Sequence, residues 1–300
     1  MIPNVIHFIH GLKDDFGGID FSFIHYFAIK SAYECNHPES IKFYYKYEPA
    51  GIWWKKSKPY LTLIKIEPPK EIFGNPILHY AHQSDVLRLE ILIKEGGIYL
   101  DMDVVCLNSF GPLLKYDCVM GMEKNIGLCN AVILAEPNSQ FLNKWYDEFR
   151  TFRSKGKDKF WGEHAVLLPL KIAKENPDMI HIEDEFSFFW PDYDNATSIL
   201  WDRPAANVLD QMLMKLKKTF SFKFLSNSYC IHLWESLWWD KYLKTITSEY
   251  VANSSDNFSK LCRKFYLTEN QYNKKDIFLF VRPVMKKWIK YYLKYNLRNE

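Results

Sequence analysis

Ser84-Asp85-Val86-Leu87-Arg88, followed by Gly96-Gly97-Ile98-Tyr99-Leu100-Asp101-Met102-Asp103, is the stretch on which the fold turns. Across residues 77–95 the spacing of Ala81, Leu87, Ile91 and Leu92 predicts an amphipathic helix, and Gly96-Gly97 supplies a left-handed residue to end it. Ile98-Tyr99-Leu100 then reads as a short central strand. Asp101-x-Asp103 follows at its carboxyl end, and in open α/β sheets the ligand crevice lies outside that end of the strands.

Working outward, Val5-Ile6-His7-Phe8-Ile9, ending near Gly11, predicts a buried first strand, and a helix is expected over about 22–35. Residues 41–47 and 61–66 predict two more strands, the second closed by Pro68-Pro69. Strand, helix, strand means α/β. Further strands are expected at 117–122 and 129–134, with helices at 138–152 and about 162–175. The stretch 176–230 alternates aromatic runs (Phe186, Phe188, Phe189, Trp190) with breakers and is placed beside the sheet as a helical or irregular insertion. Residues 276–297 show a basic, aromatic helical pattern. The expected organisation is a Rossmann-like nucleotide-binding sheet flanked by helices over 1–260, with 261–300 as a basic C-terminal helical appendage.

At 300 residues, 48% hydrophobic and 25% charged, the chain has an ordinary globular composition, which excludes collagen, low-complexity disorder and a polytopic membrane protein. Residues 261–300 hold ten Lys/Arg against three Asp/Glu, and the first 260 hold 29 against 33. A mildly acidic body argues against nucleic acid as a partner, whereas a basic tail suits anionic lipid. The six cysteines are scattered without a CxxC pair, so neither a zinc site nor a disulfide framework is indicated. With no signal peptide or spanning segment in the sequence, a cytoplasmic location is expected, with peripheral contact to an anionic membrane through 276–297.

Asp101 and Asp103 on one turn can approach a single hard divalent cation, which in turn binds a diphosphate. Two acidic residues in a turn are by themselves ordinary solvated groups; the helix, glycine stop and strand before them change the reading. Asp85 and Arg88 share one helix face, either as an i,i+3 surface ion pair or as an acceptor and donor fork for vicinal sugar hydroxyls. His232, in the apolar run Tyr229–Trp234, is either a hydrogen-bonded core histidine or a third ligand for Mn²⁺. Trp234, Trp238 and Trp239 are either core or a cover for the site.

The run from Ser84 to Asp103 strongly resembles the DXD-motif sugar transferases of glycosyltransferase family 32. That family includes yeast initiating mannosyltransferases and α-1,4-galactosyltransferases, and it is related to the glucosylating clostridial toxins. Ile2-Pro3-Asn4-Val5-Ile6-His7 and Ile231-His232-Leu233-Trp234-x-x-x-Trp238 resemble the two ends of the same family. The resemblance implies a GT-A fold and a retaining enzyme that moves a hexose from a UDP- or GDP-linked sugar to a glycan or glycolipid hydroxyl. It places Asp101 on ribose and metal, and Asp103 and His232 on Mn²⁺ or Mg²⁺. Asp85 and Arg88 would hold the donor sugar, with Asn130-Ala131 touching it. His7, His10 and Tyr99 would line the nucleotide side, and Trp238 would cover the site. The family usually has Trp where this chain has His10, and often Gly-Pro where it has Gly162-Glu163. A haloacid-dehalogenase phosphatase, with Asp101 as nucleophile, leaves Asp85, Arg88 and His232 without a role. A non-catalytic metal-dependent sugar-binding module uses the same carboxylates.

Overall fold

The structure, a computed structural model, describes residues 1–16, 19–124, 126–201 and 207–266. The helical pattern at 276–297 lies outside these residues. β1 (Val5–Ile9), α1 (Phe23–Asn36), β2 (Ser40–Tyr45), α2 (Ile52–Ser57) and β3 (Leu61–Lys65) form the first part. A minimal hairpin of β4 (Glu71–Ile72) and β5 (Asn75–Pro76) leads to α3 (Tyr80–Glu95) and β6 (Gly97–Leu100). β7 (Val104–Cys106), β8 (Cys118–Glu123), β9 (Gly127–Ala135), α4 (Gln140–Asp147) and α5 (Leu168–Glu175) come next. The chain continues through β10 (His181–Glu183), α6 (Glu185–Phe188), α7 (Tyr193–Ile199), α8 (Val208–Leu225) and β11 (Cys230–His232). It then passes through α9 (Glu235–Trp238), α10 (Ser248–Asn253) and α11 (Asn257–Tyr266).

Seven strands pair in the order β10-β8-β9-β6-β1-β2-β3, all in one direction except β9, which runs against both its neighbours. The sheet is the expected mostly parallel, mixed α/β architecture. Strand alternation divides the core. Ile9, Tyr44, Tyr99, Met120 and Ile133 face a layer built from Leu89 and Leu92 of α3, Phe141 and Trp145 of α4 and Ile172 of α5. Ile6, Phe8, Ile98 and Leu100 are buried on the other face, where Phe43 packs 4.9 Å from Trp54 of α2.

The predicted insertion at 176–230 is corrected in part. Residues 181–183 form β10, an edge strand parallel to β8, and helices α6 to α8 follow. Two half-buried residues flanking an exposed Ile182 at a sheet edge carry no apolar run by which sequence could find them. The expected helix from about 162 opens instead with a π-turn over Glu163–Leu167 before α5.

The glycine stop explains the close packing beneath the site. Gly96 is left-handed at φ 65°, and Gly97 has φ 111°. A Cβ on Gly97 would lie 2.5 Å from the Val5 carbonyl oxygen and 2.6 Å from His7 Nε2. Gly97→Ala is therefore expected to destabilise the protein by about 2–4 kcal/mol, through overlap with a strand that cannot yield as well as through φ. Gly51→Ala has comparable φ but open space around it, so it should cost about 1 kcal/mol. Urea unfolding of the two variants checks this; equal losses would show that crowding at Gly97 is not the cause.

Candidate active site

The site begins where β6 ends. The Asp101 backbone N–H donates to the Ala131 carbonyl at 2.9 Å, and the Val104 N–H closes the turn on the Asp101 carbonyl at 3.0 Å. β7 then pairs antiparallel with β11, in a register that sets His232 opposite Val104. This short ladder carries the histidine across 129 positions of sequence to the carboxylates. His232 Nε2 lies 3.2 Å from Asp103 Oδ2. One ligand atom each from Asp101, Asp103 and His232 falls within 4.8 Å of the others.

Charge in this group is unevenly distributed. Burial raises both carboxyls, but the His232 imidazole and the Glu235 backbone N–H hold Asp103 below its ordinary range. Asp101 stays above its own, since Arg88 only partly offsets burial and Asp103 repels it. Burial alone would lower His232, but Asp103, Asp101 and Glu123 hold it above the usual imidazole value. Its buried Nδ1 has no partner. Two carboxylates and an imidazole with an orphaned nitrogen are a donor set that fits Mn²⁺ or Mg²⁺.

Beside this group lies a buried network that the i,i+3 surface-pair reading did not foresee. Asp85 and Arg88 are on the buried face of α3. Arg88 donates from Nε to the Ser84 carbonyl (3.2 Å), from Nη1 to the Asn130 carbonyl (2.7 Å) and from Nη2 to Ser84 Oγ (3.1 Å). The same two Nη atoms meet Asp101 Oδ1 at 3.2 Å and Asp85 Oδ1 at 3.3 Å. The guanidinium stacks 4.4 Å from the Tyr99 ring centroid. Three of its N–H groups are thus hydrogen-bonded within the site and two carboxylates lie within ion-pair distance, so the guanidinium is fixed in place between Asp85 and Asp101. Asp85 accepts from Asn130 Nδ2 (2.8 Å) and from His82 Nδ1 (3.1 Å). A carboxylate only accepts, so His82 carries its proton on Nδ1 and presents Nε2 to Ser154 Oγ at 3.0 Å.

Tyr99 does not line an open pocket; it is buried and donates to Asp101 Oδ1 at 2.7 Å. Ala131 is buried too, and its carbonyl holds Asp101; Asn130 beside it is also buried, its side-chain amide bonded to Asp85. His7 is a further correction. It sits at the amino end of β6, away from the carboxylates, bonded to the Gly96 carbonyl (2.8 Å) and Tyr44 Oη (3.2 Å), and burial pushes it down to about 4.

His10 lies just past the carboxyl end of β1, stacked on Phe16 at 5.7 Å and 5.0 Å from His25. Its buried Nε2 has no partner, and burial holds the ring neutral. Trp238 is half-buried, and its enclosed indole N–H has no hydrogen-bond partner.

Sequence spacing missed His82, Glu123 at the end of β8, and the pair His25 and Glu235. The Glu235 N–H donates to Asp103 Oδ2 at 2.7 Å, and its carboxylate accepts from His25 Nε2 at 2.7 Å. His25 Nδ1 accepts the Ser22 N–H at 3.0 Å, which fixes the ring proton on Nε2. Trp234, left-handed at φ 55°, turns the chain so that both bonds form. No local signal marks Glu235, because its role exists only once α1 and the β7–β11 ladder meet. Glu235→Ala is expected to weaken Mn²⁺ binding about tenfold, and Glu235→Gln, which keeps the acceptor for His25, to restore most of it. Titration of free Mn²⁺ by electron paramagnetic resonance checks this; wild-type affinity in Glu235→Ala would make the pair irrelevant to the metal.

The family described as the glycosyltransferase sugar-binding region containing DXD motif matches residues 34–120. Glucan organizing enzyme 1 of Cryptococcus neoformans var. grubii is 33% identical over 279 residues, covering 88% of this chain and 71% of that protein. Mannosyl phosphorylinositol ceramide synthase SUR1 of Saccharomyces cerevisiae is 28% identical over 127 residues, 42% of this chain and 29% of that protein. Among solved structures, the apo-form glycosyltransferase GlyE of Streptococcus pneumoniae is similar with a TM-score of 0.45 at 12% identity, over 88% of this chain and 60% of that one. The chain belongs to the DXD-motif glycosyltransferase family. It is a glycosyltransferase, and the phosphatase and lectin readings fall away.

Proposed function

We propose that this enzyme is a metal-dependent, retaining hexosyltransferase that uses a UDP- or GDP-linked sugar and transfers to a hydroxyl of a glycan or glycolipid. The observation that carries this reading is the Asp101, Asp103, His232 ligand group, set beside the Asp85–Asn130–Arg88 network at the carboxyl edge of the sheet. A bound Mn²⁺ or Mg²⁺ would neutralise the departing nucleoside diphosphate. Asp103 and His232 would hold that ion, and the Trp238 indole N–H faces no competing acceptor. His10 presents an aromatic face and a bare ring nitrogen to a nucleobase, in place of a tryptophan's stacking surface alone.

For a retaining enzyme, how the carboxylates are committed supports a front-face route over a double displacement. Asp85 accepts from His82 and Asn130, Asp101 Oδ1 from Tyr99, and Asp103 from Glu235, so none is a bare in-line nucleophile. Burial raises Glu123 above its ordinary range, which makes it a poor one. Front-face substitution, in which the leaving phosphate takes the acceptor proton, fits these constraints. Proton NMR of the first-formed product is expected to show the donor's anomeric configuration; an inverted product would contradict it.

The lipid acceptor draws support from the Saccharomyces relative, whose name specifies a phosphorylinositol ceramide product. A cytoplasmic enzyme held peripherally to an anionic membrane by the basic, aromatic residues 276–297 fits such an acceptor. Thermal-shift screening of UDP- and GDP-sugars with Mn²⁺ identifies the donor; stabilisation by none of them would overturn the reading.

A further inference from the structure

α8 carries large aliphatic side chains on its outer side. Val208, Leu209, Met212, Leu213 and Leu216 are between 56% and 73% exposed. At about 100° per residue they fall within an arc of about 140°. The opposite side of the helix is docked: Met214 and Lys218 are half-buried, and Ser221 and Leu225 are buried. The outer stripe is therefore a fixed feature of a seated helix, set by its own sequence.

Two properties of the stripe say what covers it. Its side chains are aliphatic and strongly exposed, which offers no hydrogen-bonding specificity and suits a soft, deformable apolar medium. Its charge is cationic: the α8 sequence holds four lysines against one aspartate, and the exposed Lys215 flanks the stripe. We propose that α8 is an interfacial helix that lays this stripe into an anionic lipid surface, apolar residues among the acyl chains and Lys215 among the headgroups. Among the described residues no helix is long and apolar enough to cross a membrane, so the contact is with one leaflet. α8 leads through a short turn into β11 and so to His232, which lies 16 residues beyond Leu216, the last residue of the stripe. Attachment of this kind does not depend on which sugar is transferred.

The test uses the full chain with vesicles of phosphatidylcholine, with and without phosphatidylserine. Wild-type protein is expected to co-sediment with the anionic vesicles, and Leu213→Asp/Leu216→Asp to lower its partition coefficient at least about tenfold with an unchanged melting temperature. Lys215→Glu should lower binding at low salt and have little effect at high salt. An environment-sensitive fluorophore on Met212→Cys should brighten and shift to the blue on adding anionic vesicles. Wild-type partitioning by the double aspartate variant, or no binding by the full chain, would overturn the proposal. So would a concentration-dependent dimer, seen by ultracentrifugation, that the aspartates dissolve, because the stripe would then be a self-interface.

Discussion

Asp103→Ala is expected to lower sugar transfer by about 10³-fold or more, the largest effect of any single substitution in the site. Three functions converge on its carboxylate. It is one of the three candidate metal ligands, it is the partner of His232 at 3.2 Å, and it accepts the Glu235 N–H that holds the following segment in place. Removing it strips charge from the cation position and leaves the Glu235 N–H unpaired. Steady-state kinetics with saturating Mn²⁺ checks this. A variant that keeps more than about a tenth of wild-type turnover would show that the metal group is not the catalytic centre.

Arg88→Ala is expected to cost about 3–5 kcal/mol of folding stability as well as activity, because it leaves the buried Asp85 and the half-buried Asp101 without their shared cation. Burial opposes the charge of Arg88, yet Asp101, Tyr99 and Asp85 hold its proton more firmly than usual, which measures how strongly the surroundings are built around it. Arg88→Lys restores a charge but not the five-donor fork, so it should recover only part of the loss. Urea unfolding beside kinetics separates the alternatives. A sugar-binding arginine with no structural task would lose activity at unchanged stability, and that outcome would contradict the role assigned here.

Much of the fold was legible because its strands announce themselves. Val5–Ile9 matches its predicted span, and the turn from α3 into β6 lies at Gly96-Gly97 as the spacing requires. Helix α3 begins three residues later than its apolar periodicity, at an N-cap where the His79 side chain accepts the Ala81 N–H. β7 and β10 went unseen as strands because each is three residues long and gains its identity from a partner distant in sequence.

In the site, the acidic pair and His232 were legible as chemistry, since that donor set has few other uses at a strand end. The burial of Arg88, Tyr99 and Ala131 was not, because spacing shows which residues share a face and not whether that face is open. Asp85 and Arg88 three apart read alike whether on the surface or buried beneath Asn130. His7 shows the opposite error: it lies on the right strand but at the wrong end of the sheet, where its bond to the Gly96 carbonyl serves packing.

The most direct measurement is hydrolysis of nucleotide sugars by the purified chain, followed as release of nucleoside diphosphate. The enzyme treated with a chelator should be inactive, Mn²⁺ or Mg²⁺ should restore one donor's turnover, and neither ion should restore it in Asp103→Ala. Full turnover in the presence of the chelator, or rescue of Asp103→Ala by metal, would contradict a metal-dependent transferase built on Asp101, Asp103 and His232.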